Sequence, residues 1–252
     1  MAIHVCSIRY VRIADAPPSD VPTDDALTDD APTGATAGAT AGTVPSSDLT
    51  ARARLRDAAI ECFAAEGFSA SVRTIAARAG VSAGLIRHHF GSKEALRAEC
   101  DEAVLQMHRT AKVEGLTAPT AALTHLAEAD EYGAMLVYIL RSVQDGSPAG
   151  AAFIERMIAD ALAYSETAVE AGILRPSRDP EGRARLLVTN SIGGLIVQLS
   201  LHPEISLADF KGVLHETFES TALPSIELYT HGVFADSTYL DQYLLYMGDP
   251  PG

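Results

Sequence analysis

Tryptophan is absent from this 252-residue chain, and aromatic side chains make up only 6% of it. A core must therefore be built from aliphatic groups. Alanine and leucine carry most of the apolar content, which favours helix over strand. Cysteine is scarce: Cys6, Cys62 and Cys100 are far apart and odd in number. That excludes a disulfide framework or a CxxC pair and points to a reducing cytoplasm. No run of about 18 apolar residues occurs, so no membrane partner is expected. The nearest approach, Leu186 to Leu201, is interrupted by Thr189, Asn190, Ser191 and Gln198. The first residues lack the long apolar stretch of a signal peptide. Positive charge is also short, with 19 Lys and Arg against 33 Asp and Glu, a net charge of −14. Taken whole, that argues against a nucleic-acid partner.

The distribution of charge changes that conclusion. Residues 48–97 hold eight basic side chains against five acidic ones, while residues 98–252 hold nine against 22. A basic island on an acidic body suits a protein that touches DNA with one end. The acidic body hints at neutral or cationic small-molecule ligands.

What is present falls into three stretches. Residues 1–47 read as a disordered tail. Ala, Pro, Thr, Gly, Ser and Asp dominate from residue 14, GATAGATAG runs from Gly34 to Gly42, and few large apolar groups are available to offset ordering entropy. Residues 48–97 read as a small helical domain. Leu55, Ala58, Ala59, Cys62 and Phe63 mark one face of a helix that Asp48 or Thr50 can cap and Gly67 ends. Ser71, Ser82 and Ser92 can each cap a further helix, starting near Val72, Ala83 and Lys93. Residues 98–252 continue as helices over about 119–128, 130–144, 148–171, 179–201, 207–219, 224–233 and 237–247. No strand series occurs, so the fold class is all-α.

The segment from Ser71 to Leu96 reads SVRTIAARAGVSAGLIRHHFGSKEAL. Physically it is a helix, a glycine turn and a second helix. Ala76 is small where two helices cross, Gly80 can supply a positive φ, Val81 and Ile86 can plug the wedge, and Phe90 can seal it. Short helices joined by such a turn match a DNA-binding helix-turn-helix. Lys93 stands in the first turn of the third helix. There a cation opposes the helix dipole at a cost of about 0.3–1 kcal/mol, which makes sense if it grips a phosphate with the neighbouring amides.

Ile75-Ala76, Gly80-Val81-Ser82, Gly84, His89-Phe90 and Ser92-Lys93-Glu94-Ala95-Leu96 are similar to the signature of the TetR/AcrR-type transcriptional regulators. The resemblance covers about residues 49–97, and beyond them only length and helicity agree. It implies a homodimer that binds double-stranded operator DNA and is released from it by a small-molecule effector bound in residues 98–252. It also implies roles. Ser82, Ala83, Gly84, Leu85, Arg87 and His88 would face the major groove, while Ser71, Arg73, Thr74 and Lys93 would meet the backbone. Arg87 stands where the family usually has Tyr, and it can reach either a phosphate or a guanine.

Other features weigh less. Adjacent His88 and His89 point apart, so no metal is expected. His108, His125, His202, His215 and His231 form no HExxH pattern, and no cofactor-binding motif or nucleophile elbow occurs, so an enzyme is not expected. Asp101-Glu102 and Asp130-Glu131 read as solvated helix faces. Around Ile192-Gly193-Gly194-Leu195 the helix is too apolar for solvent and is either the central core helix or a dimer face. Leu105, His108, Met135, Tyr138, Met157, Tyr164 and Asn190 are candidates for an effector pocket, each with core packing or a surface position as the alternative. A helical protein-interaction module and an all-α enzyme are the competing function classes.

Overall fold

Alternation of apolar positions at spacings of three and four produces helices throughout the computed structural model, which describes residues 46–118, 133–203 and 210–248. The expected tail up to residue 45 and the helix expected near 119–128 lie outside the described residues. The elements are α1 (Ser46–Glu66), α2 (Val72–Ala79), α3 (Ala83–Phe90), α4 (Lys93–Thr117), α5 (Gly133–Gln144), α6 (Pro148–Glu170), α7 (Pro180–Leu201), α8 (Phe210–His231) and α9 (Thr238–Met247). Among the described residues all regular structure is helical.

Local chemistry sets the ends of these helices. Ser71 caps α2 by accepting from the Thr74 amide at 3.1 Å, and Ser92 caps α4 by accepting from the Ala95 amide at 3.0 Å. Gly80 closes α2 in the left-handed region, at φ 69° and ψ 33°, and the Val81 amide returns to the Ala76 carbonyl at 3.0 Å. Ser147 and Asp179 cap α6 and α7, each followed by a proline at the tolerated first position.

The helices expected over 207–219 and 224–233 form one element, because Pro224 sits inside α8 without ending it. A proline removes one helical hydrogen bond and crowds the carbonyl four residues back. Here the break falls on an exposed stretch, and the Ser225 hydroxyl donates to the Thr221 carbonyl beside it.

One continuous core runs from Leu55 on α1 to Ile192 on α7, through Phe63, Ile75, Ile86, Leu96, Val104, Tyr138 and Met157. The helix-turn-helix is therefore not a separate globule. α1 packs on α2, α4 and α5, and α6 packs on α4, α5 and α7. The Arg141 side chain on α5 donates to the carbonyls of Ala64 and Ala65 at 3.2 Å each, capping the end of α1 from the opposite layer. Tyr138 stands edge-on to Phe63 and Phe68, its centroid 6.3 and 5.2 Å from theirs, and its hydroxyl donates to Asp101 at 2.5 Å. Asp101 was expected on a solvated face and is instead buried. A carboxylate tolerates that position because Tyr138 meets it, and burial raises its pKa above the usual range.

α7 divides its apolar surface. Ala184, Val188, Ile192 and Leu195 turn inward, whereas Leu186, Val197 and Leu201 are 56–66% exposed. It is the one described helix long and apolar enough by composition to cross a membrane. Its inner row packs on α6, however, and Arg183 and Arg185 occupy its first turns.

Candidate nucleic-acid interface and effector cavity

The eight basic side chains of residues 48–97 sort into two groups by their partners. Arg52 pairs with Glu99 on α4, donates to the His89 carbonyl at 2.6 Å and lies over the Phe90 ring at 4.7 Å. Arg54 reaches the Ala79 carbonyl at 3.0 Å, Arg56 pairs with Asp57 at 2.8 Å and Arg78 with Glu61 at 3.1 Å. Arg97 pairs with Asp145 at 2.9 Å and stacks on Phe68 at 3.6 Å. These five cations tie α1, α2 and α3 to one another, to α4 and to the α5–α6 turn. Arg73, Arg87 and Lys93 have no ion-pair partner among the described residues. They are the three that sequence reading placed against DNA. They come from α2, α3 and the first turn of α4, elements that pack in succession.

The remaining predicted contacts divide in a similar way. Ser71 and Thr74 are joined, Oγ to Oγ1 at 2.9 Å, so their capping role accounts for them whether or not they also meet DNA. Ser82 precedes α3 in extended conformation but its side chain makes no capping bond, leaving the first-turn amides of α3 without a side-chain partner. A Cβ added at Gly84 would meet nothing nearer than the Ser82 hydroxyl at 3.9 Å. Internal packing thus gives no reason for glycine there, while close approach of another molecule does. Ala83 and Leu85 are half-buried against the core, and Arg87 and His88 are exposed. Ile86 and Phe90, on the opposite side of α3, are buried. The helix therefore presents a cationic, small-residue surface and keeps its apolar residues inside.

A second site lies at the far end of α4. A cavity of about 720 Å³ opens between α4, α6, α7, α8 and the 171–179 loop. Its size falls within the range of ligand sites, about 300–1,000 Å³. Of the seven pocket candidates, His108, Met157 and Tyr164 line it. Leu105, Met135 and Tyr138 lie in the main core instead, and Asn190 faces solvent on α7 while its neighbour Ser191 faces the cavity. Helical phase explains the miss at Asn190, since one residue turns a side chain by about 100°.

His108 is 3% exposed, and burial, together with the nearby Lys112 charge, pulls its pKa down to about 3. Its Nδ1 and the Ser165 hydroxyl are buried without a hydrogen-bond partner. Lys112, Arg175 and Arg183 also line the cavity and were not singled out from the sequence. Lys112 had a visible signal, because it follows His108 by one turn on the buried stripe of α4. Arg175 and Arg183 had none. They meet only because the loop folds back, with Arg183 Nη1 donating to the Arg175 carbonyl at 2.6 Å.

Comparison with known proteins agrees with this anatomy. Residues 55–100 match the tetR family of bacterial regulatory proteins, and residues 130–235 match the tetracyclin repressor-like C-terminal domain. The chain is 41% identical over 201 residues to the HTH-type transcriptional regulatory protein RaaS of Mycobacterium tuberculosis, covering 79% of this chain and 94% of that one. Among solved structures it is similar to GusR of Salmonella enterica at 25% identity, covering 71% and 94% of the two chains with a TM-score of 0.46. It is similar also to SmeT, the repressor of the Stenotrophomonas maltophilia multidrug efflux pump SmeDEF, at 22% identity, 67% and 89% coverage and a TM-score of 0.44. With a helix-turn-helix on α2 and α3, and with both matches in chain order, this protein is a DNA-binding transcriptional regulator and belongs to the TetR family.

Proposed function

We propose that this regulator is a cytoplasmic repressor, released from its operator when a small molecule fills the cavity at the far end of α4. In this reading residues 48–97 form the DNA-binding head and residues 98–252 the effector-binding and dimerisation body. Arg73, Arg87 and Lys93, with Ser71, Thr74, Ser82 to Leu85 and His88, form the DNA surface. The observation that carries the reading is the continuity of α4. Its first residue, Lys93, is one of the three unpaired head cations, and His108 and Lys112 on the same helix line the cavity. The 15 residues from Lys93 to His108 rise roughly 22 Å along the axis. A ligand that tilts α4 moves the head, because Arg52 to Glu99 and Arg97 to Asp145 tie the helix to both layers.

In the dimer, that tilt changes the spacing of the two recognition helices, which must match the DNA repeat of about 34–36 Å. Coupling of this type amounts to about 1–3 kcal/mol, roughly 5–150-fold, and is reciprocal. The test is to select bound duplexes from a randomised pool and titrate a cavity ligand against the protein with and without the selected duplex. Equal ligand affinities in the two titrations would refute regulation through the cavity.

A further inference from the structure

The body of this protein is strongly acidic, yet its cavity is not. Lys112, Arg175 and Arg183 line it, and among the described residues no carboxylate does. Neither Arg175 nor Arg183 has a carboxylate partner among those residues, and Arg183 Nε is buried with no hydrogen-bond partner. The walls between are apolar, including Leu116, Met157, Leu187 and Ile226. At the inner end, Ser165 Oγ and His108 Nδ1 are unpartnered as well. Orphaned buried polar atoms are costly, about 1–3 kcal/mol each, and several in one cavity point to a ligand that satisfies them.

The polarity has a direction. Arg175 is exposed and Arg183 half-buried, whereas His108 and Ser165 are fully buried. Anionic charge therefore finds the Arg175 and Arg183 side chains on the more exposed side of the cavity, and the apolar part of a ligand finds the interior. From this arrangement, and resting on the reading of the cavity as the effector site, we infer that the effector is an amphipathic anion, with its carboxylate or phosphate held at the Arg175–Arg183 mouth and its apolar body between α4, α6, α7 and α8. Guanidinium forks bind either oxyanion in two-pronged fashion.

Calorimetry of the full-length protein with four probes of one chain length, each well below its micelle-forming concentration, tests the class. The probes are dodecanoate, dodecyl phosphate, dodecanol and dodecylamine. At least one anion binds about tenfold or more tightly than the alcohol, and the amine binds weakest. The two anions separate a carboxylate effector from a phosphate one. The Arg175→Gln/Arg183→Gln double variant removes the preference for the anion over the alcohol, with helicity checked by circular dichroism. Should the double variant fail to fold, Arg175→Gln alone, at an exposed position, must narrow it. The inference is overturned if the alcohol or the amine binds as tightly as both anions, if none of the four binds, or if the arginine variants keep the preference intact. Adding the selected duplex separates this result from the regulatory reading. An anion that binds the cavity yet leaves the protein on DNA upholds the ligand class and refutes the regulation.

Discussion

Head and body place their charges in opposite ways. In the head, five of eight cations are consumed by internal partners, and the three left over come from α2, α3 and the first turn of α4. In the body, the surplus of carboxylates lies elsewhere, while three cations line an apolar cavity. The acidic composition of residues 98–252 suggested neutral or cationic ligands, and the cavity lining suggests the reverse. Net charge describes the long-range field of a surface. Recognition depends on the few groups that the fold leaves unpaired. The same contrast holds for apolar surface. The head buries its large apolar groups in one core, but α7 and the C-terminal helices leave several outside. Leu186, Val197, Leu201 and Leu223 are each more than half exposed.

The largest effect is expected from breaking the body's outer surface. A Cβ on Gly193 or Gly194 meets no atom of the described residues within 4 Å, so the monomer's own packing does not demand glycine there. If that stripe of α7 pairs with a second copy, Gly194→Trp converts a sedimenting dimer into a folded monomer. Losing the second head removes the avidity of two linked sites, about 10²–10⁴ in affinity for a two-half-site duplex. An unchanged dimer would move the interface off α7.

The two kinds of head cation can be separated next. Lys93→Ala should lower affinity for all sequences alike and reduce the salt slope by about one unit, and Arg87→Ala should cost about 1–3 kcal/mol if it reads a base. Arg78→Ala, which removes an ion pair internal to the head, should leave the slope unchanged. Equal slopes for Lys93→Ala and Arg78→Ala would erase the distinction between free and paired cations.

A smaller, pH-dependent effect belongs to the body. His108 has its pKa lowered from an ordinary 6.5 to about 3, so the folded state refuses a proton that the unfolded chain accepts. Stability contributed by the neutral ring is intact above pH 6.5 and falls as pH drops toward 3, by up to about 1.4 kcal/mol per pH unit. Urea denaturation across that window should show the slope, and His108→Gln should flatten it. The smallest effect is expected at the N-terminus. Removal of residues 1–45 should change duplex affinity by less than about tenfold, because their composition cannot support a packed core. A larger loss in a gel-shift titration would give that segment a part in DNA binding.

The head was readable from sequence because its determinants are local. Capping serines at 71 and 92, the positive-φ Gly80 and the spacing of Ile75, Ile86 and Phe90 act over a few residues, and each appears where periodicity placed it. The cavity was readable only where a helix carried its lining residues in phase, as at His108 and Met157. Tyr138 looked like a pocket residue and is instead a core hydrogen-bond donor, because Asp101, 37 positions away, comes to meet it. No local pattern could bring Arg175 against Arg183, or show which carboxylates and carbonyls would take up the other five cations of the head. Sequence by itself determined the all-helical class, the serine caps at 71 and 92 and the helix-turn-helix, since hydrogen bonding and amphipathic spacing within one segment suffice for those. Which charges are spent inside the protein and which are left for DNA or ligand depends on contacts between segments far apart in the chain, and only the tertiary structure decides it.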